Sequence, residues 1–311
     1  MWQVMTFTTA QLASSLSAQR RFRLPRIVAL LGSSLLLAGC ATGERDLMLQ
    51  GDARDIAVVV DAAAAPPAEA LSGTVARTST SFITLLVKRP RKDNAPGSFG
   101  RARGVATGSG FFIDTRGKAL TAGHVAVEPG LKVSARAADG RIHEGRVIAV
   151  SSVPDIGMLQ LRDVRTTPVT PAASPCLSPG TPVFSLGRPR KGRDTARIGT
   201  LQSLRFTTPV RYGNFGYDEA MVVRMSTRRG ESGGPLFNQK GELVGMIVST
   251  LSRGGRSLNL AHAIPLTALA RFVCANGQCS ARWRKLAGMS TRNCPTTTAL
   301  AQPQLQPQPA Q

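Results

Sequence analysis

The chain has 311 residues, 42% of them hydrophobic and only 5% aromatic, with a formal net charge of +21. It is long enough for one large or two small cores, and no run of about 20 apolar residues predicts an ordinary membrane-spanning helix. Its basic residues are scattered, without an interleaved aromatic platform or a helix–turn–helix pattern, which argues against nucleic-acid recognition.

Arg20, Arg21, Arg23 and Arg26 form a basic block ahead of the apolar run 27–38, the pattern of a secretory signal over residues 1–39. The run ends in Leu37-Ala38-Gly39-Cys40, which resembles a bacterial lipobox with Cys40 as the lipidated thiol. Ala41 follows the cysteine, which in such lipoproteins points to the outer membrane. Removing the four arginines of this signal, which has no acids, leaves a mature charge near +17. That charge predicts association with anionic surfaces such as lipopolysaccharide, or equally a solvated surface without a partner. Residues 40–73 contain Ala62-Ala63-Ala64-Ala65-Pro66-Pro67 and read as a flexible tether.

From residue 74 onward, short apolar runs alternate with turn signals: 81–88, 107–114, 131–136, 141–151 and 155–161. Ala138-Asp139-Gly140 is a hairpin signature between two of them. A Pro-rich link follows at 168–182, and the pattern then resumes over 183–187, 194–208, 220–227, 242–251 and 257–264. This spacing predicts an all-β sandwich or barrel in two halves, with only 266–273 helical. Beyond Cys40, Cys176, Cys274, Cys279 and Cys294 make an even set, which in an exported protein predicts two disulfides with three pairings open. No histidine pair accompanies them, so a zinc site is not expected. The chain closes in a Gln/Pro-rich tail expected not to pack.

Gly230-Glu231-Ser232-Gly233-Gly234-Pro235 is the sharpest chemical signal. A serine hydroxyl needs a tightly turned backbone to present it and amide N–H groups to receive an oxyanion. Gly230 and Ser232 are the natural donors. The base must come from three histidines: His143 reads as a solvated strand residue and His262 as a packed or pocket-lining one, leaving His124 in a loop after a strand. Asp155, at the start of a strand among apolar residues, is the matching carboxylate, whereas Asp114 and Asp139 read as turn residues.

These motifs resemble the trypsin-like serine proteases, and within them the bacterial HtrA/Deg-type protease domain. The carrying segments are 107–114 (TGSGFFID), 121–125 (TAGHV), 155–159 (DIGML), 230–238 (GESGGPLFN), 241–245 (GELVG) and 259–265 (NLAHAIP), in the family's order of His, Asp and Ser. The resemblance spans about residues 74–275 and implies two six-stranded β-barrels, with a break near 165–182 and His124, Asp155 and Ser232 in the cleft between them. It implies a serine endopeptidase of the cell envelope that needs no metal or organic cofactor. The alternative is a catalytically silent binding lipoprotein for anionic envelope ligands.

Only 36 residues follow position 275, too few for the PDZ domain usual in that branch, so none is expected. Glu231 stands where Asp or Asn is usual, and is expected to meet Arg228 or Arg229. A primary pocket from Ser226, Thr227, Val248, Ser249 and His262 would favour a small-to-medium apolar side chain.

Overall fold

The computed structural model describes residues 49, 56–61, 65–89, 104–253, 256–277 and 279–295. The predicted signal, Cys40, most of the predicted tether and the Gln/Pro tail lie outside the described residues. Strands β1 (Ala57–Val60), β2 (Phe82–Lys88), β3 (Val105–Phe112), β4 (Lys118–Thr121), β5 (Lys132–Arg136), β6 (Ile142–Ser151) and β7 (Ile156–Leu161) precede the Pro-rich link. After it come β8 (Pro182–Gly187), β9 (Thr195–Phe206), β10 (Val210–Tyr212), β11 (Phe215–Tyr217), β12 (Ala220–Arg224), β13 (Pro235–Asn238), β14 (Leu243–Arg253) and β15 (Arg256–Pro265).

Strands β2-β3-β4-β7-β6-β5 form a closed barrel, sealed where β5 pairs with β2. Its strands bury side chains on both faces: Ile83, Leu85 and Leu159 on one, Phe111, Leu120 and Met158 on the other, all fully buried. In the second half, β8-β9-β12-β15-β14-β13 also close, because β13 returns to pair with β8. Closure of both sheets removes free edges that would otherwise offer unpaired N–H and C=O groups. The two six-stranded barrels agree with the architecture that the motif resemblance implied. The Pro-rich link stitches them: Val169 N–H donates to Phe112 C=O, and Ala172 N–H to Leu243 C=O, each at 2.9 Å.

Helices are more numerous than the sequence patterns predicted. Besides α3 (Leu266–Ala275), which matches the predicted 266–273 segment, the structure has α1 (Ala68–Thr78), the single turn α2 (Gly123–Ala126) and α4 (Ala281–Ala287). α1 seats Leu71 and Val75 against the core, and α4 buries Trp283 and Leu286. The tether reading of 40–73 is therefore corrected over its described parts. Residues 57–60 are a strand laid parallel to β9, and 68–73 open a packed helix. Short apolar runs such as Ala57-Val-Val-Val60 gain little on their own, but this one covers the part of β9 that β12 does not reach. Disulfides join Cys176 to Cys294 and Cys274 to Cys279, so the segment after residue 275 is tied back to the link between barrels.

Candidate active site

His124 lies in the turn α2, just past the end of β4. Gly123 makes that turn feasible: a Cβ there would come within 2.9 Å of Asp155 Oδ1 and 2.8 Å of Ser151 C=O. Asp155 sits in the connection between β6 and β7 and is completely buried. A carboxylate there must be met by donors, or its desolvation is uncompensated. Three are present. The backbone N–H of His124 donates to Oδ1 at 2.7 Å, the His124 Nδ1–H to Oδ2 at 2.7 Å, and the Tyr212 hydroxyl also to Oδ2. With Nδ1 carrying the hydrogen toward Asp155, the neutral ring keeps its lone pair on Nε2, at the face of a side chain still 29% exposed.

Tyr212 does not stand out in the sequence. It belongs to the β10–β11 hairpin of the second barrel, whose turn contains Gly213 at φ 56°. The Val210-Arg-Tyr-Gly-Asn-Phe-Gly-Tyr217 segment carries a hairpin signal, but nothing local reveals that its Tyr reaches a carboxylate of the other barrel. Its ring meets the His124 ring edge-on at 5.6 Å. Burial, reinforced by the neighbouring Asp155 charge, pushes the Tyr212 hydroxyl far above its usual value, so it stays protonated and remains a donor.

Ser232 occupies the loop between β12 and β13, and two glycines let it fit. Gly230 has φ 101° and its Cβ position is 2.5 Å from Arg188 C=O; Gly233 has φ 87° and its Cβ position is 2.2 Å from Ser109 C=O. Strand β3 holds this loop from the first barrel. Ser109 N–H donates to Ser232 C=O at 2.9 Å, and Ser109 Oγ–H to Gly230 C=O at 2.8 Å. Gly108 lies between Val125, next to His124, and the carbonyl of Ser232. The Ser232 and His124 loops thus meet over one spot on β3. Ser232 Oγ itself donates to Val248 C=O at 3.3 Å rather than to His124. The N–H groups of Gly230 and Ser232 have no hydrogen-bond acceptor among the described residues.

Behind the loop lies a buried polar layer. The Glu231 carboxylate accepts from Arg197 Nε at 2.8 and 2.9 Å and from the backbone N–H of Arg228 at 2.9 Å. Glu231 meets Arg228, as expected, but through its backbone; the Arg228 and Arg229 side chains are exposed, and the ion pair is made instead with Arg197 on β9, 3% exposed beside a Glu231 equally hidden. An enclosed carboxylate must be met by donors, and Glu231 finds its charged one on β9. Asp194 similarly takes Arg136 from the first barrel at 2.6 Å and Arg188 at 3.1 Å.

The predicted pocket residues are only partly gathered. Ser249 and His262 are register partners on β14 and β15, and Tyr217 O–H bridges them, 2.8 Å from Ser249 Oγ and 2.6 Å from His262 Nδ1. Burial lowers His262 to about 4 and raises Tyr217 to about 12, so at neutral pH both are uncharged. Thr227 pairs with Thr250, and Ser226 turns to Asp61 at 2.5 Å. A cavity of about 240 Å³ lined by Arg77, Thr78, Thr170, Phe237 and Gly241 contains none of these residues. His143, expected to be solvated, is buried at 7% exposure and meets Asp139 at 3.1 Å, because its strand turns that face inward. Asp114 and Asp139 do accept turn N–H groups, as their motifs predicted.

Residues 108–246 match the family described as a trypsin-like peptidase domain. A probable serine protease do-like of Buchnera aphidicola is 34% identical over 164 residues, covering 51% of this chain and 33% of that protein. The periplasmic pH-dependent serine endoprotease DegQ of Escherichia coli is 33% identical over 160 residues, covering 51% and 34% respectively. The chain therefore spans about a third of the length of these curated relatives. Among solved structures, the active form of the Rv3671c protease from M. tuberculosis superposes with a TM-score of 0.57 at 23% identity, over 73% of this chain and 93% of that one. The HtrA-type protease AlgW with tripeptide gives 0.53 at 21% identity, over 68% and 64%. Both carry the same fold.

Proposed function

We propose that this chain, a trypsin-like peptidase over residues 108–246, is an exported serine endopeptidase with Ser232 as nucleophile, His124 as base and Asp155 as the carboxylate behind it. The observation that carries the reading is the fully buried Asp155 bonded to His124 Nδ1, with the glycine-turned Ser232 loop packed alongside.

Rotation of Ser232 Oγ from Val248 C=O toward His124 Nε2 lets the imidazole take its proton as the oxygen attacks a peptide carbonyl. Asp155 then balances the imidazolium, and the N–H groups of Gly230 and Ser232 receive the oxyanion. Collapse of the tetrahedral intermediate breaks the C–N bond, and His124 gives its proton to the leaving amine. Water then attacks the acyl-enzyme by the same route, releasing the acid and restoring Ser232. No cofactor enters these steps.

The relative DegQ is named a periplasmic protease, which supports export; the Cys40 motif further supports a lipid anchor, in the outer membrane. The small side chains of Ser226, Thr227 and Ser249, with Val248 and the neutral His262, support a small-to-medium apolar side chain ahead of the cleaved bond. Casein cleavage by the wild-type chain, lost in Ser232→Ala, is the expected result; undiminished cleavage by Ser232→Ala would overturn the proposal.

A second reading, that the chain also holds anionic envelope polymers, is favoured by one surface. Arg190, Lys191, Arg228 and Arg229 are exposed side by side, joined by the Arg190 N–H to Arg229 C=O bond at 2.7 Å. None of the four side chains has a carboxylate partner among the described residues. It predicts salt-sensitive binding to lipopolysaccharide that persists in Ser232→Ala.

A further inference from the structure

The segment ahead of the first barrel places Asp61 one residue past β1. Its strand runs parallel to β9 in the register Ala57↔Thr195 to Val60↔Ile198, and Asp61 N–H extends the pairing by donating to Ile198 C=O at 2.8 Å. This delivers a carboxylate, only 8% exposed at its side chain, behind the Ser232 loop. Asp61 Oδ1 accepts the Ser226 hydroxyl at 2.5 Å, and Oδ2 lies 3.9 Å from Arg197 Nη1. Arg197 in turn grips Glu231, the residue directly before Ser232. The loop 226–232 is therefore held at both ends from beneath: at Ser226 by Asp61, and at Glu231 by an arginine that Asp61 also faces.

We infer that Asp61 is a positioning residue for the Ser232 loop, and that docking of residues 57–61 on β9 sets the geometry of the Gly230 and Ser232 N–H groups. The inference rests on the serine endopeptidase reading for its effect on turnover, but not for its effect on the loop. The carboxylate is the essential part. β1 contributes backbone pairing that many sequences could supply, whereas Asp61 alone among the described residues brings a buried acid to both Ser226 and Arg197. Arg197 thus lies between two enclosed carboxylates, bonded to Glu231 and 3.9 Å from Asp61. Asp61 touches neither the reacting serine nor its base, so its influence passes through the loop.

Removal of the Ser226–Asp61 bond should loosen the loop without unmaking the barrels. In the full chain, Asp61→Ala and Ser226→Ala are each expected to lower kcat on a peptide ester about tenfold while KM stays within about twofold. The double variant should be no worse than Asp61→Ala alone, since Ser226 acts through Asp61. Asp61→Glu is expected to retain most of the activity. Hydrogen exchange at 228–232 should quicken in Asp61→Ala, whereas exchange in β2 to β7 should not. Additive losses that follow melting temperature alone would overturn the inference, as would unchanged kcat with unchanged loop exchange. If the wild-type chain shows no turnover at all, the endopeptidase reading fails by itself, and the exchange comparison still decides for or against Asp61.

Discussion

Replacing Tyr212 with Phe removes one hydroxyl and keeps the ring that packs edge-on against His124. The lost group is one of three donors to a carboxylate with no solvent exposure. A hydrogen bond to a charged group contributes about 1.5–3 kcal/mol, or roughly 10- to 150-fold if lost entirely from the transition state. Two donors from His124 remain, so the lower end applies, and kcat/KM should fall about tenfold. The loss should sit in kcat, because the hydroxyl faces Asp155 and not the substrate cleft, and melting should drop by only a few degrees. Steady-state kinetics on a chromogenic peptide, run for Tyr212→Phe in both the wild-type and Asp155→Asn backgrounds, measures this. The effect should shrink when the carboxylate charge is already gone. A variant within twofold of wild type, or an equal loss in both backgrounds, would refute the reasoning.

Arg197→Ala leaves Glu231 enclosed without its cation; breaking a buried pair from one side costs about 3–5 kcal/mol, so thermal denaturation should begin about 10 °C lower. The two disulfides should differ in weight, since Cys176–Cys294 spans 118 residues and Cys274–Cys279 only 5. Chain-entropy reasoning gives about 5 against about 2 kcal/mol, so Cys294→Ser should lower the denaturant midpoint more than Cys279→Ser. His262 is held neutral in the fold with its value lowered to about 4, while the unfolded chain takes the proton near 6.5. Its contribution is therefore complete above about pH 6.5 and is lost as pH falls toward 4, on the order of 3 kcal/mol. Urea titrations across that window should show a steeper decline for wild type than for His262→Phe.

Period-two strands, the Pro-rich break and the Gly-Glu-Ser-Gly-Gly turn all have local causes, which is why an all-β fold in two halves and the loops of His124 and Ser232 are legible in the amino-acid sequence, whereas two closed barrels are what the family resemblance adds. Asp155 is legible more through its family motif than through local chemistry, although an acid among apolar neighbours at a strand start also calls for a partner. What escapes is decided by distant partners. Tyr212 reaches across from the opposite barrel, and Arg197 is one arginine among many until β9 turns it inward against Glu231. Ala57–Val60 looks like tether because four apolar residues cannot hold a strand without the edge of β9 to pair with. His143 misleads in the opposite direction: charged neighbours along its strand face outward, whereas its own ring points into the barrel wall beside Asp139.

The reactivity of Ser232 tests the account most directly. Incubation with a fluorophosphonate, followed by mass mapping of the modified peptide, should find a single adduct on Ser232 in the wild-type chain. The adduct should be absent from Ser232→Ala and strongly slowed in His124→Ala. A folded wild-type chain that takes no label, or label that persists in Ser232→Ala, would contradict it.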